Sequence, residues 1–279
     1  MINIKNVNVF FEVPTSEVDK NGQIINELDC YTKSCVELHT VPKYVSNYKA
    51  FICGDVIDVY SYEVPNVYGI QSGKNQSGKK SGSVKSEGNL NRSKKNLRRL
   101  INANVTGHDL FITLTYESNM LDIDKGKNDV KNFVKRWNYE RKKENKESLK
   151  YVYVAEFQKR GAVHFHCLFF NVGYIANKDL RDLWGHGFVR VNKIDDVDNV
   201  GAYVVKYMQK DMIDIRLSSK DLYGRSRGLK SPIEINNPLE VCQLLEDNAK
   251  HIVYNSVFSN EYKGEINFCQ INLKRNNVE

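Results

Sequence analysis

Two histidines one residue apart stand in the run Glu156-Phe157-Gln158-Lys159-Arg160-Gly161-Ala162-Val163-His164-Phe165-His166-Cys167-Leu168-Phe169-Phe170. The run reads as the end of one strand, a tight turn at Arg160-Gly161 and a second strand. Side chains alternate between the two faces of a strand, so His164 and His166 point one way and Phe165 and Cys167 the other. Two imidazoles about 6–7 Å apart along a strand can converge on one cation. Glu156, eight positions before His164 on the opposite arm of the hairpin, can add an oxygen ligand. Two histidines and one carboxylate leave coordination positions open for substrate oxygens, the arrangement of a catalytic rather than a structural metal site. The alternative is a pair of core histidines, since HxH on a strand is common.

Two further segments bear on the choice. Phe111-Ile112-Thr113-Leu114-Thr115-Tyr116 alternates as a strand with Thr113 and Thr115 on one face. Downstream, Gly201-Ala202-Tyr203-Val204-Val205-Lys206-Tyr207-Met208-Gln209-Lys210-Asp211 places Tyr203, Lys206, Tyr207 and Lys210 at i, i+3, i+4 and i+7. These positions share one helical face. Two phenols flanked by two ammonium groups make a poor core stripe and suit a phosphate; a tyrosine pair alone is more often amphipathic packing.

In their order, the FITLTY strand, the HFH strand and the YVVKY helix resemble the three motifs of the HUH endonucleases. They are most similar to rolling-circle replication initiators of phages and plasmids, above all the gene A type of isometric phages with its YxxKY helix. The resemblance covers about residues 92–232. It implies a metal-dependent nickase that joins itself to DNA through tyrosine, leaving a 5′-phosphotyrosine link and a free 3′-hydroxyl. Carried over to this chain, it makes Tyr203 and Tyr207 the nucleophiles, with Tyr203 preferred if only one acts. Lys206 then favours the phenolate, and Mg2+ or Mn2+ is held by His164, His166 and Glu156. The implied substrate is single-stranded or hairpin origin DNA, with a host helicase and polymerase as further candidate partners. A relaxase or a two-tyrosine transposase would use the same chemistry, but relaxases usually place the nucleophile ahead of the histidines. A non-catalytic ferredoxin-like nucleic-acid-binding module is the alternative from a different class.

The elements that must position these groups follow from periodicity. A strand is expected at about 110–116, a helix at 124–146 with Val130, Phe133, Val134 and Trp137 inward, and strands at 149–156 and 163–170. A helix at 177–184 and a strand at 187–192 complete the set. The order β-α-β-β-α-β is that of an α+β, ferredoxin-like (RRM-like) antiparallel sheet with flanking helices. The tyrosine helix is expected at about 197–211, packed where its tyrosines face the histidines. His186, between two glycines, reads as structural or phosphate-facing rather than as a ligand.

Charge adds a polyanion partner. The net charge is +7 over 279 residues, yet residues 71–100 alone hold nine Lys/Arg against Glu87, so the rest of the chain is close to neutral. Residues 91–104 read as a short helix with Leu97, Leu100 and Ile101 as its apolar stripe. Arg92, Lys94, Lys95, Arg98 and Arg99 are offered to phosphates. Lys210 and the compact basic turn of Arg225, Arg227 and Lys230 are expected as further DNA-backbone contacts. The expected division is a β-rich extension over 1–70, a basic flexible linker over 71–90, an endonuclease core over 91–235, and a helix and hairpin over 236–279 packing on that core. Six cysteines without a CxxC pair read as reduced thiols of a cytoplasmic protein; the resemblance implies that the cell is a bacterial host. Neither a signal peptide nor a membrane span is expected. No GxxxxGK[ST] motif is present, which argues against a fused ATPase.

Overall fold

The computed structural model describes residues 17–18, 24–25, 44–68, 87–158, 161–208 and 223–275. Much of the β-rich extension expected over 1–70, Lys210, residues 159 and 160 and nearly all of the basic linker lie outside the described residues. The chain divides into two units, one of Met1–Gly78 with Ile233–Glu279 and one of Lys79–Pro232. Each is built around a five-stranded antiparallel sheet, so the molecule is α+β.

The first unit contains a pair of two-residue strands, β1 (Glu17–Val18) and β2 (Ile24–Ile25). Its main sheet starts with a long hairpin of β3 (Tyr44–Cys53) and β4 (Val56–Tyr68), reversed at Gly54 with φ of 62°. In the order of the chain, the second unit then contributes α1 (Glu87–Asn102), β5 (Leu110–Tyr116), α2 (Ile123–Lys143), β6 (Lys150–Phe157), β7 (Val163–Phe170), α3 (Asn177–Trp184), β8 (Gly187–Asn192), α4 (Val200–Val205) and β9 (Tyr223–Arg225). The chain returns to the first unit with β10 (Ile233–Ile235), α5 (Pro238–Asp247), β11 (Ile252–Asn260) and β12 (Gly264–Asn272).

The first sheet runs β10-β3-β4-β12-β11. α5 covers one face, where Val241, Cys242 and Leu245 bury Ala50, Ile57, Val59, Cys269 and Ile271. This changes the expected division. Residues 236–279 join the N-terminal strands in one sheet instead of packing on the core expected over 91–235, because β12 pairs with β4 from Ile266↔Tyr62 to Asn272↔Val56. β10, placed within the core by its sequence position, pairs with β3. α1 begins at Glu87, inside the stretch expected to be linker.

The second sheet runs β8-β5-β7-β6-β9, all antiparallel. Its first four strands fall in sequence order 4-1-3-2, two interlocked split β-α-β units of the ferredoxin-like kind. The core lies between the sheet and α2 and α3. Phe133, Trp137, Phe169 and Trp184 meet there with ring centroids 4.8–6.1 Å apart. Burying each such side chain contributes about 1.5–3 kcal/mol. α2 approaches β7 closely at Gly126, where an added Cβ would stand 2.9 Å from the Phe165 ring. Asp122 caps α2 by accepting from the Asp124 and Lys125 amides. α3 ends at Gly185, with φ of 67°, and Arg136 donates to the terminal Leu183 and Trp184 carbonyls. The opposite face of this sheet is covered in part by α1 and α4, and there the candidate chemistry is assembled. Among the described residues no helix is long and apolar enough to cross a membrane.

Candidate active site

The hairpin register brings three candidate metal-ligating side chains together. Glu156 pairs directly with His164, and Val154 with His166, so the three polar side chains share a face. The turn closes with Gly161 at φ of 85°, left-handed backbone that glycine adopts without cost, and with the Gln158 amide donating to the Ala162 carbonyl. Glu156 Oε2 lies 2.9 Å from His164 Nε2 and 2.6 Å from His166 Nε2. These ligand atoms all lie within 4.8 Å of one another, a group able to hold a metal ion.

The far ring nitrogens are held as well. Thr113 on β5 pairs with His166, and its Oγ1 is 3.2 Å from His166 Nδ1. Asn192 on β8 donates its Nδ2–H to the same Thr113 oxygen at 3.0 Å. Gln158 meets His164 Nδ1 at 3.4 Å. Both imidazoles are thus steered so that Nε2 faces the carboxylate, the outer-shell support typical of metal-binding histidines. His166 is nearly buried at 4% side-chain exposure, against 15% for His164 and 20% for Glu156.

This packing sets the charge states. Burial raises the Glu156 pKa, but hydrogen bonds from His164 and His166 and their charges outweigh it and hold the carboxyl down at about 2. Burial of His166 lowers its pKa and keeps the ring neutral, the form that ligates metals. Two imidazoles and a carboxylate make a mixed nitrogen–oxygen donor set. It suits a borderline divalent ion such as Mn2+ better than Mg2+, which favours oxygen.

α4 brings the tyrosines over this group. Asn199 caps the helix by accepting from the Ala202 amide, and Asn102 at the end of α1 accepts from the Gly201 amide and donates to Asn199. Gly201 has to be glycine, because a Cβ there would run into the Arg98 carbonyl. Val200, Val204 and Met208 are buried beneath. The helix was expected to continue to 211, but it ends at Val205, and the next amides bond three residues back: Lys206 to Tyr203, Tyr207 to Val204 and Met208 to Val205. Three residues per turn instead of 3.6 rotates Tyr207 beyond the roughly 40° offset of a regular helix. Its ring lies on His166, with centroids 3.7 Å apart and planes inclined by 23°. Tyr203 and Tyr207 both rest on Phe111, each with centroids 5.7 Å away. The Tyr207 hydroxyl donates to that of Tyr203 at 3.4 Å. Burial, then this hydrogen bond, pushes the Tyr207 pKa up to about 12, with the Glu156 charge raising it further and Arg190 opposing. The exposed Lys206 ammonium sits 5.5 Å from the Tyr203 ring centroid.

Residues 109–212 match the family described as Replication-associated protein, of the ORF2 type. That span holds the FITLTY strand, both histidines, Glu156 and both tyrosines. No curated protein matches the chain, and no solved structure does. The family match associates the chain with replication-associated proteins and supports a role in initiating replication.

The basic residues anticipated as DNA contacts divide. On α1, Leu97, Leu100 and Ile101 are buried as expected, and Arg92 and Lys95 are exposed, with Lys94 and Arg98 partly so. Arg99 is a correction: it falls on the docked side of the helix and is 8% exposed, so it is not presented to a phosphate backbone. Arg225, Arg227 and Lys230 are exposed, and Asn104 pins the Lys230 backbone through both its N–H and its carbonyl. His186 lies among Trp184, Tyr116 and Asp129, away from the metal ligands. Four contributors were absent from the sequence reading: Gln158, Asn192, Arg190 and the Asn102–Gly201 clamp. The alternation in Phe188-Val189-Arg190-Val191-Asn192 was a usable signal for the β8 pair, but only pairing with β5 decides which of its faces looks toward the histidines.

Proposed function

We propose that this protein initiates rolling-circle replication by nicking and rejoining one strand of origin DNA through a tyrosine–phosphate link, as an HUH-type endonuclease. The observation that carries the reading is the convergence of Glu156 Oε2, His164 Nε2 and His166 Nε2, with the Tyr207 ring stacked on His166 and its hydroxyl bonded to that of Tyr203. The match over residues 109–212 favours replication over transposition or conjugation.

A divalent cation held by Glu156, His164 and His166 would neutralise charge on the scissile phosphate. The chain's own groups do the rest. Thr113 and Gln158 fix the imidazole orientations, Phe111 packs against both phenol rings, and His166 stacks on that of Tyr207. A free phenol has a pKa near ~10 and is mostly protonated at neutral pH, so attack needs its proton removed or its anion stabilised. Tyr207, raised to about 12, is held neutral in this arrangement, and the Lys206 ammonium stands 5.5 Å from the Tyr203 ring centroid, placed to meet a phosphate. Tyr203 is therefore the first nucleophile. Its oxygen forms a bond to phosphorus, the phosphorus–3′-oxygen bond breaks, and the departing 3′-oxygen takes a proton. Tyr207, hydrogen-bonded to it, is within reach for the second transfer. Because the phosphoester energy is retained, rejoining needs no ATP.

The test is incubation of labelled single-stranded DNA from the cognate replicon with Mn2+, Mg2+ or EDTA, followed by a denaturing gel. A metal-dependent covalent adduct, lost in Tyr203→Phe/Tyr207→Phe, is expected. DNA binding with no adduct under any metal would establish the non-catalytic module instead.

A further inference from the structure

The second sheet has two edge strands, and one of them, β8, lies two strands from the histidine strand β7. Its residues fall on two faces. Val189 is buried on the side of α3, while Asn192 reaches Thr113, which in turn touches His166. Phe188 and Arg190 share the Asn192 face by strand periodicity. The registers align them with the ligands: Phe188↔Thr115↔His164 in one row and Arg190↔Thr113↔His166 in the next. Two strand spacings, about 10 Å, separate each pair of row ends. Between them stand only the short side chains of Thr113 and Thr115, both partly exposed, which make a low floor across β5.

Phe188 is 61% exposed, and Arg190 is exposed beside it. Among the described residues neither side chain has a hydrogen bond, an ion pair or a ring contact. A single exposed phenylalanine means little by itself. Here it lies one row from a guanidinium whose charge reaches Tyr207, on the same face as the metal ligands. A planar aromatic surface stacks a base of any identity, and a guanidinium forks onto phosphate oxygens. The two side chains lie two residues apart on a strand, about 6–7 Å, the repeat of an extended single-stranded backbone being similar in length.

We propose that the exposed face of β8 is the seat of one nucleotide of single-stranded DNA next to the scissile phosphate, with Phe188 stacking its base and Arg190 binding its phosphate. The seat rests on the nicking reading above and deepens it: it orients the strand across Thr113 and Thr115 toward Tyr203 without contributing a reacting atom. Duplex DNA is excluded from it, because a paired and stacked base offers no free face to Phe188.

Two measurements test this. The first is binding of a short fluorescein-labelled oligothymidylate by anisotropy in EDTA, where no cleavage occurs, across a salt series. Phe188→Ala should weaken binding about 10-fold with an unchanged salt slope, and Phe188→Trp should restore it. Arg190→Ala should weaken binding and lower the salt slope by about 1, a loss that Arg190→Lys recovers in slope. Both residues are exposed, so unchanged melting temperatures are expected. The second measurement is the covalent adduct on cognate DNA, where Phe188→Ala should slow formation most at subsaturating DNA. If both alanine variants bind and react like the wild type while Tyr203→Phe/Tyr207→Phe loses the adduct, the seat is wrong and the nicking reading stands. If the wild type forms no adduct yet Phe188→Ala still weakens binding selectively for single strands, the seat stands and the nicking reading falls. Equal loss of duplex and single-strand binding in both variants would also overturn the seat, reducing β8 to a general basic surface.

Discussion

The two sheets have the same number of strands and the same antiparallel pairing, but only one gathers chemistry. In the first, the face under α5 is filled by Ala50, Ile57, Val59, Cys269 and Ile271, and among the described residues it presents no group of three metal-ligating side chains. In the second, the corresponding central strands carry Thr113, Thr115, His164 and His166 on the face away from the main helices, opposite Glu156. The connection also differs. β4 and β12, adjacent in the first sheet, are some two hundred positions apart in the chain, whereas β5 to β8 of the second form a nearly continuous stretch. The sheet scaffold is therefore not what makes a site. What makes it is the set of residues placed on one face of two central strands, and a short capped helix whose following turn lays Tyr207 on His166.

The largest expected effect falls on the tyrosines of the second unit. The Tyr203→Phe/Tyr207→Phe protein should lose adduct formation by on the order of 10^4-fold or more, as removal of a nucleophile does, with its melting temperature nearly unchanged. Ile57→Ala in the first sheet should do the reverse: roughly 2–5 kcal/mol of lost stability in denaturant titration, and an unchanged adduct rate per folded molecule. Next in size is Gly201→Ala. The Arg98 carbonyl forces α4 to shift, and about 1 Å of displacement at the tyrosines should slow adduct formation by roughly 10^2-fold. Thr113→Val keeps the shape of the strand but removes the hydroxyl that orients His166. It should weaken Mn2+ binding about 10–100-fold by calorimetry.

The smallest expected effect is a pH dependence confined to the second sheet. Glu156 titrates at about 2 in the folded chain, below its unfolded value near ~4.3, so its stabilisation is complete above pH ~4.3 and lost as pH falls toward 2. His166 is lowered below ~6.5, so the unfolded chain takes up that proton first and stability begins to fall below pH ~6.5. In EDTA, stability should thus decline with acid in two steps. Glu156→Gln should flatten the lower one, as read from denaturant midpoints across the pH range. An unaltered acid profile in that variant would show that the hairpin pair does not hold the carboxylate as described.

Much of the site was legible because it depends on local rules. Strand periodicity alone puts His164 and His166 on one face, and a short hairpin leaves few registers, so Glu156 had to fall near them; the strand itself was expected at 163–170 and runs Val163–Phe170. The helices of the second unit were visible in their apolar spacing for the same reason. The tyrosine helix was only partly legible. The heptad-like stripe of Tyr203, Lys206 and Tyr207 suggested a longer regular helix, and the turn after Val205, which lays Tyr207 on His166, packs that ring on Phe111 from a distant strand.

The sequence by itself determined the identity and order of the β-α-β-β-α-β elements, the shared face of the two histidines and the carboxylate across the hairpin, because each follows from contacts between residues close in the chain. Tertiary structure decided the rest. It set Arg190 and Phe188 in rows with the histidines, turned Arg99 inward, clamped α4 to α1 through Asn102 and Gly201, and paired β12 with β4 in a separate sheet. Each of these is a choice among strand neighbours and helix faces that local propensity leaves equal. The choice is made by which distant surfaces bury the most apolar area while pairing every buried backbone group.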